Sequence, residues 1–409
     1  MYDAIIVGAR CAGSPTAMLL GRLGYRVLLI DRAGFPSDIM STHYIHQAGI
    51  ARLKRWGLLE RLIASNCPPI SGGRFDIGPF ALTGSPPTAN GIAEAYAPRR
   101  TVLDKLLVDG AVEAGAELRE DFTVQEILLD GDRVTGIRGR TAGGTSVTEE
   151  ARIIVGADGL HSLIARTVQA PTYAIRPTLS CVYYTYWSDV PIEGVELYPR
   201  DLRFVVGFPT HDGLVCVSVY WPLNEFHDFR TNIEGNYLKT LELAPGLAER
   251  VRGGKRVERF VGTADQPNFF RKPYGPGWAL VGDAGYHKDA NTAQGITDAF
   301  RDAELLAETL GSGLSGYVEL EDALADYERK RNEMAMPIYE LTCQLASLEP
   351  PLPVMRQFFA ALQGNQTEIN HFLGALAGTY PVPEFFSPEH VEQVIAGSGK
   401  ATPLLERIP

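Results

Sequence analysis

The sequence predicts an α/β fold in which a mainly parallel sheet carries an inserted antiparallel sheet and is followed by a helical C-terminal region. Three observations predict it. The chain opens on a strand, a Gly-bounded turn, a helix and a second strand, from Tyr2 to Asp31. The design of buried strand, polar residue and Gly turn returns at Gly156-Ala-Asp158-Gly159 and at Gly282-Asp283. Between those returns, from Tyr173 to Tyr220, Val, Tyr, Phe and Trp crowd strand-like runs separated by turns, the texture of an antiparallel sheet.

The first unit is the most explicit. Tyr2-Asp-Ala-Ile-Ile-Val-Gly8 reads as an apolar strand, Gly8-Ala-Arg-Cys-Ala-Gly13 as a tight turn, and Ser14 to Leu23 as a helix that Gly24 ends. Tyr25 to Asp31 is a second strand closing on an acid. This is the βαβ unit of the Rossmann type that grips an adenine dinucleotide. Gly8 permits the sharp turn, Gly13 lets the helix lie close to the sheet, and the helix start offers unpaired N–H groups to a pyrophosphate. Asp31, about 20 residues past the turn, is placed for the ribose hydroxyls, with Arg32 beside the adenosine. Arg10 stands where a middle Gly is expected, and its guanidinium is a candidate to neutralise the pyrophosphate.

Further along, Ile45 to Leu62 reads helical, and Asn66 to Asn90 as short strands and loops in which Phe75, Ile77 and Phe80 alternate. A helix opens at Arg99-Arg100-Thr-Val-Leu103 and runs to Ala114, with Gly115 ending it. Strands are expected at Glu117 to Ile127 and at Arg133 to Gly139 across an Asp130-Gly131 turn, and, after a Gly143-Gly144 hairpin, a buried strand over Ala151 to Gly159 that ends in Asp158-Gly159. In the aromatic sheet the strands are Ser180 to Trp187, Leu202 to Phe208 and Leu214 to Trp221, with turns at Pro199-Arg200 and His211-Asp212-Gly213. A helix over Thr231 to Val251, a strand near Val257 to Thr263 and a long helix from Thr292 to Leu310 follow. The remainder from Leu320 reads as helices broken by Pro337, Pro350-Pro351-Leu-Pro353 and Pro381-Val-Pro383.

Composition narrows the function. A chain of 409 residues builds a large core and about two domains. A formal charge of −11 argues against a nucleic-acid partner. The eight His are scattered without metal-ligand spacing, so no metal is expected. The five Cys form no C-x-x-C pair and fit free thiols in a reducing cytoplasm. No signal peptide and no transmembrane segment is expected.

The three strand–turn segments, with Arg100 between the first and second, resemble the FAD-binding flavoprotein monooxygenases of the p-hydroxybenzoate hydroxylase type over about residues 1–170 and 255–330. The resemblance implies FAD as cofactor, held by Gly8, Arg10, Ala12, Gly13, Asp31, Arg32, Arg100, Val124, Asp158, Asp283, Gln294, Gly295 and Ile296. Val124 falls where the backbone meets adenine, Asp283 where an acid bonds the ribityl chain, and Gln294-Gly295-Ile296 at the helix start beneath the flavin pyrimidine ring. The sequence departs from the family at Gly285-Tyr286, in place of Ala-His, and at Ala290, in place of Pro. NAD(P)H is implied as a transient co-substrate, because no second nucleotide-binding unit is present, and O₂ as the oxidant through a flavin C4a-hydroperoxide. The product would be a hydroxylated or epoxidised small aromatic or polyketide-like molecule.

This reading divides the chain into a cofactor half at 1–75, 99–172 and 269–330, a substrate half at 76–98 and 173–268, and a helical region at 331–409. Aromatics of the second sheet, above all Tyr184, Tyr186, Phe204, Phe208 and Tyr220, are the candidate pocket wall, set against plain core packing. His46 and His43 are the candidate acid–base residues, set against an N-cap at Ser41 or Thr42 and a surface His. Three other outcomes share the scaffold. A reductase of the geranylgeranyl-reductase type would act without O₂. A flavin halogenase would carry a Trp-x-Trp-x-Ile-Pro motif, which this chain lacks. A non-catalytic binding protein of the prenyl-GTPase escort type would need neither Asp283 nor the flavin helix start.

Overall fold

A computed structural model describes residues 1–398. The central sheet has the strand order Tyr274–Gly275, Trp278–Leu280, Ser146–Gly156, Tyr2–Val7, Val27–Ile30 and Glu117–Arg119, and every pairing in that row is parallel except the first. The Tyr2–Val7 strand is apolar because it is covered on both faces. Ala4 and Ile6 join the core under the helices, whereas Ile5 and Val7 join the core on the opposite face. The helix Gly13–Arg22 packs on the first of these cores, and Gly24 follows it at φ +85°.

The inserted sheet is antiparallel but for one pairing. It runs Lys255–Arg256, Ser180–Ser188, Val215–Pro222, Arg203–Pro209, Val195–Arg200, Gly73–Asp76 and Ala81–Gly84, with Val261–Thr263 beside Ser180–Ser188. Alternation sorts its aromatics into two layers. Cys181, Tyr183, Trp187 and Trp221 face helices that carry Phe229 and Tyr237. Tyr184, Tyr186, Phe204, Phe208 and Tyr220 share the opposite face with Tyr44. The C-terminal region consists of helices Leu320–Leu345, Pro353–Leu362, Gln366–Ala377, Val382–Phe385 and Pro388–Gly397. Residues 399–409 of that expected region lie outside the described residues.

Several local expectations are corrected. The helix expected over Ile45 to Leu62 is two, Gln47–Arg55 and Leu59–Ala64, because Gly57 takes φ +76° between them. The strand expected over Glu117 to Ile127 divides at Asp121, φ +52°, so that Glu117–Arg119 ends the parallel sheet and Thr123–Asp130 starts a hairpin with Arg133–Arg140. Pro199-Arg200 is not a turn. It belongs to the strand Val195–Arg200, and the chain reverses at Asp201-Leu202. The helix expected over Thr231 to Val251 is interrupted: Phe226–Thr231 precedes Ile233–Leu241, which Asn232 caps by accepting the Gly235 N–H, and Pro245–Gly253 follows. The strand near Val257 to Thr263 is only Val261–Thr263, and the long helix starts at Gly295 and ends at Leu314. Pro337 breaks nothing: Leu320–Leu345 is continuous through it. The inserted sheet also takes in residues before position 76, because Gly73 to Phe75 pair in parallel with Val195 to Leu197.

Candidate functional site: a dinucleotide cradle opening on an apolar cavity

Three turns meet at the carboxyl ends of the central strands, where an α/β sheet binds its ligand. The first contacts the second at van der Waals limits. A Cβ on Gly8, at φ +104°, would lie 2.3 Å from the Ala157 carbonyl oxygen, and one on Gly13 would lie 1.7 Å from the Gly8 carbonyl oxygen. The third turn closes on the first: a Cβ on Gly282 would stand 2.8 Å from the Ala12 Cβ. These glycines are required by backbone proximity.

Asp31 is buried and ties the cradle together. Its Oδ2 accepts the Ala9 N–H at 2.8 Å and its Oδ1 the Ala33 N–H at 2.9 Å. Arg32 is exposed beside it. The helix Gly13–Arg22 has no side-chain cap; the Ser14 N–H is taken by the Arg10 carbonyl at 3.0 Å and Pro15 has none, so among the described residues the Gly13 N–H is the one left for a ligand in that first turn. Asp104 is fully buried under the turn and gathers charge. Arg100 chelates it through two hydrogen bonds of 2.9 and 3.0 Å, and Arg10 pairs with it from the other side while reaching Ser37 Oγ at 2.9 Å. The Arg10 guanidinium is therefore engaged by a carboxylate, contrary to a freely offered pyrophosphate partner. Two guanidiniums on one carboxylate still leave this end of the site positive. Burial works to lower the Arg100 pKa, but Cys11 and Asp104 outweigh it and raise the value, with Asp283 adding a smaller contribution; Asp283 is itself exposed and accepts no hydrogen bond among the described residues.

Two expected contacts look inward to the protein. Asp158 Oδ2 accepts the Leu163 N–H at 2.6 Å, and its other oxygen is buried without a donor. Burial accordingly raises the Asp158 pKa. Its carboxylate serves the following helix start together with the N-cap Ser162. Val124 is half-buried at an irregularity where the hairpin register shifts between Val124 and Glu126.

The long helix Gly295–Leu314 begins beside the third turn. Its N-cap Gln294 makes no capping bond and instead donates to the Leu376 carbonyl at 2.9 Å. Gly295 is exposed, and a Cβ there would meet nothing within 4 Å. Ile296 is buried in the core behind it. Gly285 and Tyr286, the departures from the family pattern, are explained by what they meet. A Cβ on Gly285 would lie 3.1 Å from Nη1 of the fully buried Arg331, and Tyr286 stacks on Phe270 at 4.7 Å while its hydroxyl accepts from Arg301 at 2.6 Å.

A cavity of about 2180 Å³ opens from this helix start. His46, Phe204, Phe208, Tyr220 and Asn291 to Ala293 line one end, and Phe359, Phe372, Leu376, Val382 and Phe386 of the C-terminal helices line the other. His43, Tyr184 and Tyr186 pack behind that wall. His43 Nε2 shares a 2.8 Å hydrogen bond with the Tyr186 hydroxyl, and Tyr184 accepts the Ser41 N–H at 3.0 Å. The C-terminal wall was not expected from the sequence. The run of Phe, Leu and Ala there signals burial but not the surface that it covers.

His46 is buried. Its Nε2 lies 3.0 Å from the Thr292 carbonyl, which only accepts, so the proton is on Nε2 and Nδ1 is left as a base. Burial pushes His46 down to about 4, and burial with Arg99 nearby pushes His43 down to about 3. Both are neutral at pH 7. Below about 6.5 the unfolded chain takes up protons that the folded chain refuses. Stability is therefore full above pH 6.5 and falls as pH drops from about 6.5 towards 4, by about 1.4 kcal/mol per pH unit for each His. Urea-unfolding midpoints taken from pH 7.5 to 4.5 should fall with a slope that His46→Phe makes shallower. An identical slope in both proteins would contradict the buried neutral imidazole.

The glycines at the turns, the uncapped helix starts and the positive Arg10–Asp104–Arg100 cluster fit a dinucleotide with a flavin. An FAD-type cradle on a parallel sheet with an inserted antiparallel sheet defines a flavoprotein. The chain belongs to the family described as FAD binding domain, whose model matches residues 1–220. It is 28% identical over 366 residues to digeranylgeranylglycerophospholipid reductase 1 of Methanopyrus kandleri, covering 86% of this chain and 91% of that one. Among solved structures, the flavin-dependent brominase Bmp2 superposes with a TM-score of 0.81 at 18% identity, covering 98% and 100% of the two chains. The probable FAD-dependent monooxygenase PqsL of Pseudomonas aeruginosa superposes with a TM-score of 0.73 at 21% identity, covering 85% of this chain and 96% of that one. The chain is thus an enzyme of the FAD-dependent oxidoreductase class. Among the described residues no helix is long and apolar enough to cross a membrane.

Proposed function

We propose that the chain is an FAD-dependent monooxygenase that uses NAD(P)H and O₂ to place one oxygen on a largely apolar small molecule. The observation that carries this reading is the apolar cavity ending at His46 and at the start of the helix Gly295–Leu314. An apolar wall beside a flavin serves oxygen transfer, because water diverts the oxidant. When bound, FAD supplies the electron transfer and the oxygen activation.

The protein's own residues then have separate tasks. Gly8, Ala12 and Gly13 bring the helix start to the pyrophosphate, with Asp31 and Arg32 at the adenosine end. Arg100 and Asp283 face the linker between the two rings. Gln294, Gly295 and Ile296 present the second helix start to the pyrimidine edge. Phe204, Phe208 and Tyr220 orient the substrate by their faces and edges. His46 Nδ1 accepts a proton from a substrate hydroxyl, while His43 and Tyr186 hold the wall behind it in place. In this reading the enzyme works in the cytoplasm on a freely diffusing substrate.

The volume of the cavity bears on the substrate. Sites for drug-sized ligands occupy roughly 300–1,000 Å³, and about 2180 Å³ suits a considerably larger molecule. The same observation, with the similarity to the Methanopyrus kandleri reductase, supports a second reading in which the substrate is a long unsaturated chain and the reaction is a reduction. The experiment that separates them is a product analysis with and without air. The purified FAD-loaded protein is given NADH or NADPH and a panel of aromatic and unsaturated apolar compounds. Oxygen uptake matched by a product heavier by one oxygen atom supports the monooxygenase. Turnover under argon, with a product heavier by two hydrogens, sinks it in favour of the reductase.

A further inference from the structure

Lys288 and Asp298 form a buried ion pair beneath the first turn of the helix Gly295–Leu314; their side chains are 4% and 7% exposed. Arg301 holds the other Asp298 oxygen at 2.9 Å, and it also pairs with Asp302 at 2.9 Å. Asp298 lies four residues after the N-cap Gln294, whose carbonyl its N–H bonds at 2.9 Å. The helix end above it has no side-chain cap and an exposed Gly295.

An acid at that depth works against the helix end. A free N-terminus carries about half a positive charge, and a full negative charge one turn below would cancel it for any anion docked above. Arg301 is shared between Asp298 and Asp302, whereas Lys288 pairs with no other carboxylate among the described residues, so Lys288 supplies the charge that removes the conflict. It comes from the segment between the third turn and the helix, which Asp289 anchors by accepting the Asn291 N–H at 3.0 Å. The same two charges reach the cavity side, where Asp298 raises and Lys288 lowers the basicity of His46.

We propose that Lys288 is a positioning residue that masks Asp298 and so keeps the helix start electropositive for the reduced flavin. The proposal rests on the reading that the flavin pyrimidine edge sits at Gln294 to Ile296. Uptake of two electrons and one proton by the oxidised ring leaves one negative charge near N1, with no bond made to the protein. Masking Asp298 stabilises that charge and raises the flavin potential.

The test is the midpoint potential of the bound flavin, titrated with dithionite against a reference dye in the FAD-loaded protein. Lys288→Met should shift the potential negative, Lys288→Arg should restore it, and Asp298→Asn should shift it positive. Lys288→Gln gives the same negative sign if the methionine variant does not fold. An unchanged or positive potential in Lys288→Met or Lys288→Gln overturns the inference, as does an unchanged or negative potential in Asp298→Asn, because an ion pair that only holds the fold leaves the potential where it is. In all of these the protein stays yellow. A wild-type protein that takes up no FAD instead overturns the reading beneath the proposal, so the two failures are distinct.

Discussion

Replacing Gly13 by alanine should yield protein that takes up no FAD. The added methyl carbon would lie 1.7 Å from the Gly8 carbonyl oxygen and 3.1 Å from the Ala157 Cβ, so either the helix moves off the sheet or the turn is pushed open. The Gly8 backbone and the Ala157 position are both held in the sheet, Gly8 N–H by the Ile30 carbonyl at 2.7 Å and Ala157 N–H by the Val7 carbonyl at 2.8 Å. Forced overlap of backbone in a packed core belongs with the largest point-mutant effects, about 4–5 kcal/mol. Gly246→Ala is the matched control. A Cβ there meets nothing within 4 Å, and the helix Pro245–Gly253 gains a better helix former. Flavin absorbance after dialysis against FAD, with urea unfolding of the apoprotein, measures both. A Gly13→Ala protein that is yellow and as stable as wild type would mean that the three turns do not meet as described.

Asp104→Ala should be strongly destabilising. Asp104 is fully buried and is the shared partner of Arg10 and Arg100. Removing it leaves two guanidiniums close together, one of them buried, without their carboxylate. Breaking a buried pair from one side costs about 3–5 kcal/mol. The sign of the FAD effect then runs the other way. The unpaired guanidiniums add positive charge beside the pyrophosphate seat, so FAD should raise the unfolding midpoint of Asp104→Ala by more than it raises that of wild type. Equal stabilisation of the two proteins by FAD would separate the cluster from the dinucleotide site.

These expectations were legible in the sequence to different depths. The first unit is local: Tyr2 to Asp31 contains every strand, turn and glycine that it needs, and the structure follows it within two residues at most ends. The convergence of Gly8, Asp158 and Asp283 could be read because a parallel sheet aligns the carboxyl ends of its strands. The Arg100–Asp104 pair is readable as an i,i+4 contact, but the approach of Arg10 crosses 94 positions and leaves no local trace. Gly57 and Pro245 carry local signals for the helix breaks, a left-handed turn at the first and a proline opening a new helix at the second. Pro337 misled in the opposite direction, since packing along Leu320–Leu345 keeps the helix intact around it.

The candidate wall divided along the pleat. Alternation placed Tyr184, Tyr186, Phe204, Phe208 and Tyr220 on one face, as period-two geometry requires. It could not say that Tyr184 and Tyr186 would be covered by Ser41 and His43, because that loop joins the sheet only in three dimensions.

The far wall of the cavity comes from helices after residue 345, while the turns that grip the nucleotide all lie before residue 300. In the proposed function, part of the substrate's surroundings would thereby be written in a different stretch of sequence from the seat of the cofactor. Exchange of the terminal helices between relatives can change the molecule transformed and leave the prosthetic group where it is, a route by which one flavin scaffold acquires many chemistries.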